Sequence, residues 1–250
     1  MRQLFLMLFI LLFSMSCYSQ TQITLTPDNM VLLRDEVSGD SVNKTQRKLL
    51  ELSSKLPESE IIYLVLDSPG GSVYAGIDMI NTFKLIPQKI HTITIFAASM
   101  TFMISQHGDK RFINNKGVMM GHRASGGFSG QFEVGEVESQ LNLWKSIVKD
   151  MEEDVSKRMG ISIKEYKEKI QNEMWLYDKN AVKENAADEV IQIKCSKELL
   201  NQRLEEQQTS GFFFFSSTKT VVYSGCPLLR KPIGEIKEIK KDTSNSEHLY

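Results

Sequence analysis

Residues 61–67, IIYLVLD, form an almost continuous apolar run of strand-forming residues, and this run restricts the fold more than any other feature. A half-exposed strand alternates apolar with polar, whereas a strand without that alternation is buried on both faces and needs cover above and below the sheet. The following residues, SPGGSVYAGIDMINTFKLI, read as a glycine-rich turn and then a helix with Val73, Ile77, Ile80 and Phe83 on one side. A second strand, IHTITIF, comes next, and SMTFMISQHG then returns to helical spacing with a glycine near its end. Strand, helix, strand, helix in this order predicts an α/β fold with right-handed crossovers.

The flanks extend the pattern. Residues 22–37 contain a β-rich run ending in charge, and SVNKTQRKLLELSSKL places Leu49, Leu52 and Leu56 at helical spacing behind Asp40 or Ser41 as N-cap. Further on, GHRASGGFSGQF is a polar, glycine-rich excursion before a long amphipathic helix over about 133–158 and a short helix from Ile163. DKNAVKENAADEVIQI adds a helix and a closing strand. Beyond residue 195, GFFFFSSTKTVVYSG has two β-prone runs separated by SSTK, which predicts a hairpin. Four consecutive phenylalanines, Phe212–Phe215, cannot all face one core from one strand, so a face is expected to meet another subunit, a membrane surface or the main domain. The polar tail after residue 233 is expected to be poorly ordered.

The first nineteen residues stand apart, with Arg2, a ten-residue apolar run from Leu4 to Phe13, and then small and polar residues. They read as a secretory signal peptide cleaved after Ser19, because the run is shorter than the roughly 20 residues that cross a bilayer. Lipidation at Cys17 is the alternative, although Ser14 stands where a lipoprotein signal usually has leucine. Export to a periplasm or cell envelope leaves Cys195 and Cys226 where disulfides are permitted, and a bridge between them would contribute about 3–4 kcal/mol. Thirty Lys and Arg against 31 Asp and Glu give a net charge of −1, and no basic stripe suggests nucleic acid. The expected organisation is a signal at 1–19, one domain at 20–194 and an extension at 195–250.

Three separate segments carry chemistry. In AASM, Ser99 lies where a strand gives way to a helix, and a helix N-terminus favours a developing oxyanion. A serine there is also an ordinary N-cap. DSPGGSV supplies Gly70 and Gly71, where a missing side chain lets backbone N–H groups approach a ligand. MMGHRASGGFSGQ supplies His122, a base suited to neutral pH. The remaining histidines, His91, His107 and His248, carry no expected role.

DSPGGSV, AASM and the run from His122 to Gln131, in this order, resemble the ClpP family of self-compartmentalising serine peptidases over residues 30–192. The resemblance implies a ClpP/crotonase-type spiral of βαβ units, here with a C-terminal β-rich extension, and peptide-bond hydrolysis by a Ser-His-acid triad without metal or cofactor. Carried over, Ser99 matches the nucleophile, His122 the base, and the N–H groups of Gly71 and Met100 the oxyanion hole. Gly70, Gly126, Gly127 and Phe128 match positions that hold an extended peptide, at a handle where heptameric rings meet. Glu173 falls on the acid's position, a glutamate where the family has aspartate, with Asp178 as rival acid or as the cap of the next helix. Peptides or unfolded proteins as substrates and a homo-oligomer, with rings as one form, are the implied partners; the extension could touch a membrane surface.

Three departures shape the expectation. Export away from ATP points to an ATP-independent peptidase, Ser99 and His122 are about two residues closer than usual, and Thr101 replaces a glycine. Met100 and Met103 could line an apolar pocket or fill the core. The alternatives are a non-catalytic scaffold of the same fold, a membrane-associated Ser-Lys enzyme like the signal peptide peptidases, and acyl-CoA chemistry of the crotonase type.

Overall fold

A computed structural model describes residues 20–127, 133–212 and 215–236, by backbone alone at 207–219 and 235–236. The expected signal peptide, Phe128 and the tail from residue 237 therefore lie outside the described residues, as do the side chains of Phe212–Phe215.

The chain runs through β1 (Gln22–Leu25), β2 (Met30–Arg34), α1 (Gly39–Lys55), β3 (Ile61–Ser68), α2 (Val73–Phe83), β4 (Lys89–Ala98) and α3 (Met100–Ser105). It continues through β5 (Lys110–Gly121), α4 (Val134–Met159), α5 (Ile163–Lys169), β6 (Met174–Tyr177), α6 (Lys179–Lys183) and β7 (Glu189–Cys195). The extension holds α7 (Lys197–Asn201), β8 (Arg203–Phe212), β9 (Phe215–Ser224) and β10 (Gly234–Ile236). Strands β1, β7, β5, β4, β3 and β2 form a parallel sheet in that order, with β6 antiparallel along β5. This α/β architecture with a mostly parallel sheet is the class expected from the alternation of strands and helices.

The apolar run of β3 feeds both faces of the sheet. Ile62, Leu64 and Leu66 pack with Leu49, Leu52, Met79 and Phe102 on the helical side, while Tyr63 and Val65 join Ile93, Phe112, Ile193 and Leu199 on the other. Each such side chain taken out of water contributes roughly 1.5–3 kcal/mol, so the two layers together hold β3 central. The site described below sits at the ends of β3, β4 and β5.

Several local expectations are corrected. Helix α1 is capped by Ser38, not by Asp40 or Ser41: Ser41 is the third helical residue, and its side chain and that of Ser38 each accept from the other's backbone N–H. Helix α2 buries Ala75, Gly76 and Met79 beside the expected Ile80, while Val73 and Phe83 pack partly covered against the same core and Ile77 is half-buried. Gly76 seats the Met100 side chain, whose Cε a β-carbon there would overlap. Residues 216–219, SSTK, do not separate the hairpin strands; β8 and β9 pair from Arg203 opposite Ser224 to Phe212 opposite Phe215, so SSTK lies within β9. A disulfide joins Cys195 at the end of β7 to Cys226, with Cα atoms 5.8 Å apart.

The return of the chain into β7 is fixed by a buried arginine. Arg111 donates from Nη1 to Gln106 Oε1 and to the Asn185 carbonyl, and from its backbone N–H and side chain to Asp188. Burial pushes the Asp188 carboxyl up, but the hydrogen bonds and charge of Arg111 outweigh it and hold that carboxyl below its ordinary value. A lowered carboxyl pKa stabilises the fold above the unfolded-state value and loses that contribution as pH falls through the folded-state value. Asp188→Ala is therefore expected to cost about 3 kcal/mol at neutral pH, because Arg111 is left buried without its counter-charge. Chemical denaturation at pH 7 and pH 3 checks this: the gap between variant and wild type should narrow at the lower pH.

Candidate active site

Ser99 follows the last residue of β4 with φ 56° and ψ −121°, a backbone state that a non-glycine residue adopts at a cost of about 1–3 kcal/mol. Two hydrogen bonds hold it there, from its N–H to the Met120 carbonyl at 2.8 Å and from the Met103 N–H to its own carbonyl at 3.2 Å. The conformation turns the side chain away from α3, so Ser99 makes no side-chain cap for that helix. Its Oγ instead lies 2.7 Å from Nε2 of His122, the residue just past the end of β5. Adjacent strands thus bring together two groups 23 residues apart, both partly buried.

The glycine turn closes against the same point. Gly70 has φ 97°, and a β-carbon there would fall 2.6 Å from both the Ala98 carbonyl and Ser99 Cβ. Gly71 has φ 146°, and a β-carbon there would fall 2.4 Å from the Val37 carbonyl. Val37 holds the turn from outside: its N–H donates to the Gly70 carbonyl, and Ser72 N–H donates to the Val37 carbonyl, each at 2.7 Å. From inside, the Ser68 hydroxyl accepts from Gly70 N–H at 3.2 Å and from the Thr101 hydroxyl at 2.8 Å. Met100 is the first residue of α3, so its N–H has no acceptor within that helix. Gly70→Ala should drive the turn off Ser99; a fall in activity of at least about 100-fold is expected where reacting groups shift by an ångström, checked by steady-state kinetics below the melting temperature.

Glu173 and Asp178 occupy opposite ends of β6. In the antiparallel pairing Gly121 faces Met174 and Val118 faces Tyr177, and His122 and Glu173 each lie one residue beyond that end of the ladder. Asp178 lies at the other end, four to five residues of extended chain or about 15 Å away along the strand. The Glu173 carboxylate accepts from the Trp175 indole N–H at 3.0 Å. Asp178 does not cap α6 through its side chain, and its buried Oδ1 has no hydrogen-bond partner among the described residues. Both residues have positive φ, 64° and 49°.

The other expected positions divide. Gly126 and Gly127 lie in the irregular segment after His122, where a β-carbon on Gly126 would meet the Trp144 ring at 3.1 Å and one on Gly127 would meet nothing. Met100 and Met103 are core residues, 3% and 8% exposed, which disposes of the pocket reading for their side chains. Ser68, Val37 and Thr101 were not singled out as site residues by sequence; only Thr101, as a departure from the family's glycine, carried a signal.

The family model for Clp protease matches residues 15–194. The ATP-dependent Clp protease proteolytic subunit of Streptococcus mutans is 28% identical over 171 residues, 67% of this chain and 87% of that protein. The ATP-dependent Clp protease proteolytic subunit 1 of Prochlorococcus marinus subsp. pastoris is 26% identical over 176 residues, 69% and 88%. For subunit 3 of Streptomyces coelicolor the identity is 30% over 172 residues, 67% and 77%.

Proposed function

The chain belongs to the Clp protease family and is a serine peptidase of the Clp type, and from that premise we propose that Ser99, His122 and Glu173 hydrolyse peptide bonds through an acyl-enzyme. The 2.7 Å approach of Ser99 Oγ to His122 Nε2 carries the assignment. With the imidazole proton on Nδ1, the hydroxyl donates to Nε2; His122 takes that proton as Oγ attacks the peptide carbonyl carbon. The negative oxygen is received by the N–H groups of Gly71 and Met100. Collapse breaks the C–N bond, and His122 hands its proton to the departing amine. Water then attacks the ester, giving its proton to His122, and Ser99 recovers a proton as the acid product leaves.

We place the reaction outside the cytosol, in the periplasm or cell envelope, on the signal-like residues 1–19. Without ATP at hand, the peptidase takes peptides or unfolded chains unassisted. It works as a homo-oligomer: Val134, Val137 and Leu141 on α4 are 87%, 37% and 39% exposed, an apolar face suited to a second copy. A fluorophosphonate probe tests the chemistry. Wild type should be labelled at Ser99, as located by peptide mass analysis, and His122→Ala should lose the labelling; retained activity in His122→Ala would mean a different base.

A further inference from the structure

Asp67 ends the apolar run of β3, next to the glycine turn, and its side chain is only 3% exposed. It points to the face opposite the helices and lies between two arginines. Arg34 of β2, its partner in the parallel register, donates from Nε to Oδ2 at 3.2 Å. Arg230, from the far end of the chain, donates to Oδ1. Arg34 also donates from Nη2 to the Pro227 carbonyl at 2.6 Å, so the two arginines and the carboxylate join Pro227 and Arg230 to β2 and β3. The disulfide from Cys195 holds this segment at Cys226, one residue before Pro227.

Both strands that Asp67 ties together lead directly into the active site. Three residues beyond Arg34, Val37 pairs with Gly71 and exchanges hydrogen bonds with Gly70 and Ser72. Three and four residues beyond Asp67 are Gly70 and Gly71 themselves. A shift between the ends of β2 and β3 would therefore move the Gly71 N–H relative to Ser99.

We propose that Asp67 is a positioning residue for the oxyanion turn, and that the disulfide-held segment Cys226–Arg230 is the latch that completes its clamp. The turn is gripped from inside by Ser68 and Thr101 and from outside by Val37; the latch fixes the distance between these two grips. Opening the disulfide frees the segment to leave Asp67, so thiol reductants weaken the enzyme without touching a reacting group. The inference rests on assigning the Gly71 N–H to the oxyanion.

The test compares full-length wild type with Arg230→Ala, Arg230→Lys, Asp67→Asn and the pair Cys195→Ser/Cys226→Ser, by peptide hydrolysis and by amide hydrogen exchange. Arg230→Ala and the cysteine pair should each lower kcat about tenfold with KM unchanged, and Asp67→Asn should lower it by up to about 100-fold, as misplacement of a reacting group does. Affinity for a peptide boronate should fall in parallel with kcat, and Arg230→Lys should recover most of the loss. Combining Arg230→Ala with the cysteine pair should lose no more than the worse of the two, because both open one latch. Exchange should quicken at Gly70, Gly71 and Ser72 and stay unchanged in the centre of the sheet. Unchanged exchange at the turn with unchanged kcat overturns the proposal, as does faster exchange spread evenly over the sheet. Faster exchange confined to the turn in the variants, together with a wild type that no fluorophosphonate labels, would uphold the latch and defeat the hydrolytic assignment of Ser99.

Discussion

Ser99→Ala is expected to lower kcat by about 10⁵–10⁶-fold while leaving peptide binding intact, because the reaction loses its nucleophile and the base loses its proton donor together. His122→Ala should fall by a similar factor, and the double variant should be no worse than either, since the two groups act as one unit at 2.7 Å. A residual rate about 10³–10⁴ above water should survive in all three, supplied by the Gly71 and Met100 N–H groups and by substrate binding. The backbone of Ser99 adds a second readout. At φ 56° an alanine is as strained as the serine, whereas glycine is not, so Ser99→Gly should be inactive yet about 1 kcal/mol more stable than Ser99→Ala. Steady-state kinetics with a fluorogenic peptide and chemical denaturation measure both. Turnover in Ser99→Ala within tenfold of wild type would remove the serine from the mechanism.

What could be read from the chain was what local periodicity and backbone chemistry dictate. The run IIYLVLD announced a strand buried on both faces, and it is one, because period-2 alternation sends Ile62, Leu64 and Leu66 one way and Tyr63 and Val65 the other. SPGG announced a turn free of side chains, and the 2.6 Å clearance at Gly70 gives the reason. The misreadings arise partly from contacts between distant segments and partly from local reciprocity. Gly76 on α2 receives the Met100 side chain from α3, which adds Ala75, Gly76 and Met79 to the buried face that spacing prescribes. Ser38 outcompetes Ser41 as cap because two serines three apart satisfy each other's N–H, a reciprocity that a search for the first good capping residue passes over. The clamp on Asp67 joins residues 33 and 163 positions away, and no pattern within a window of the sequence links them. Thr101 was visible as a departure, but only its hydroxyl's bond to Ser68 explains it: a buried hydroxyl in place of glycine is tolerated because Ser68 accepts from it.

Glu173→Gln is expected to lower kcat by about 10³–10⁴-fold, as loss of the group that fixes the imidazole tautomer does. The expectation rests on register and not on proximity in sequence: His122 and Glu173 each lie one residue beyond Gly121 and Met174, the last facing pair of β5 and β6. Its recorded side-chain partner is the Trp175 indole, which donates to Oε2; no hydrogen bond joins Glu173 to His122 among the described residues, so the role asks Oε1 to turn toward His122 Nδ1. Glutamate in place of aspartate adds a methylene, and Glu173 has a positive φ of 64°. Trp175→Phe should therefore cost only about tenfold, through a less well directed carboxylate, since a charged acceptor needs no second donor to bind an imidazolium. Asp178→Asn separates the two carboxylates. About 15 Å along β6 from the imidazole's partner position, Asp178 is too far to touch it, and its variant should keep kcat within threefold of wild type when assayed below its melting temperature. Should Asp178→Asn match the loss seen in Glu173→Gln, the register argument would be wrong and the acid would have to be sought at the other end of the strand.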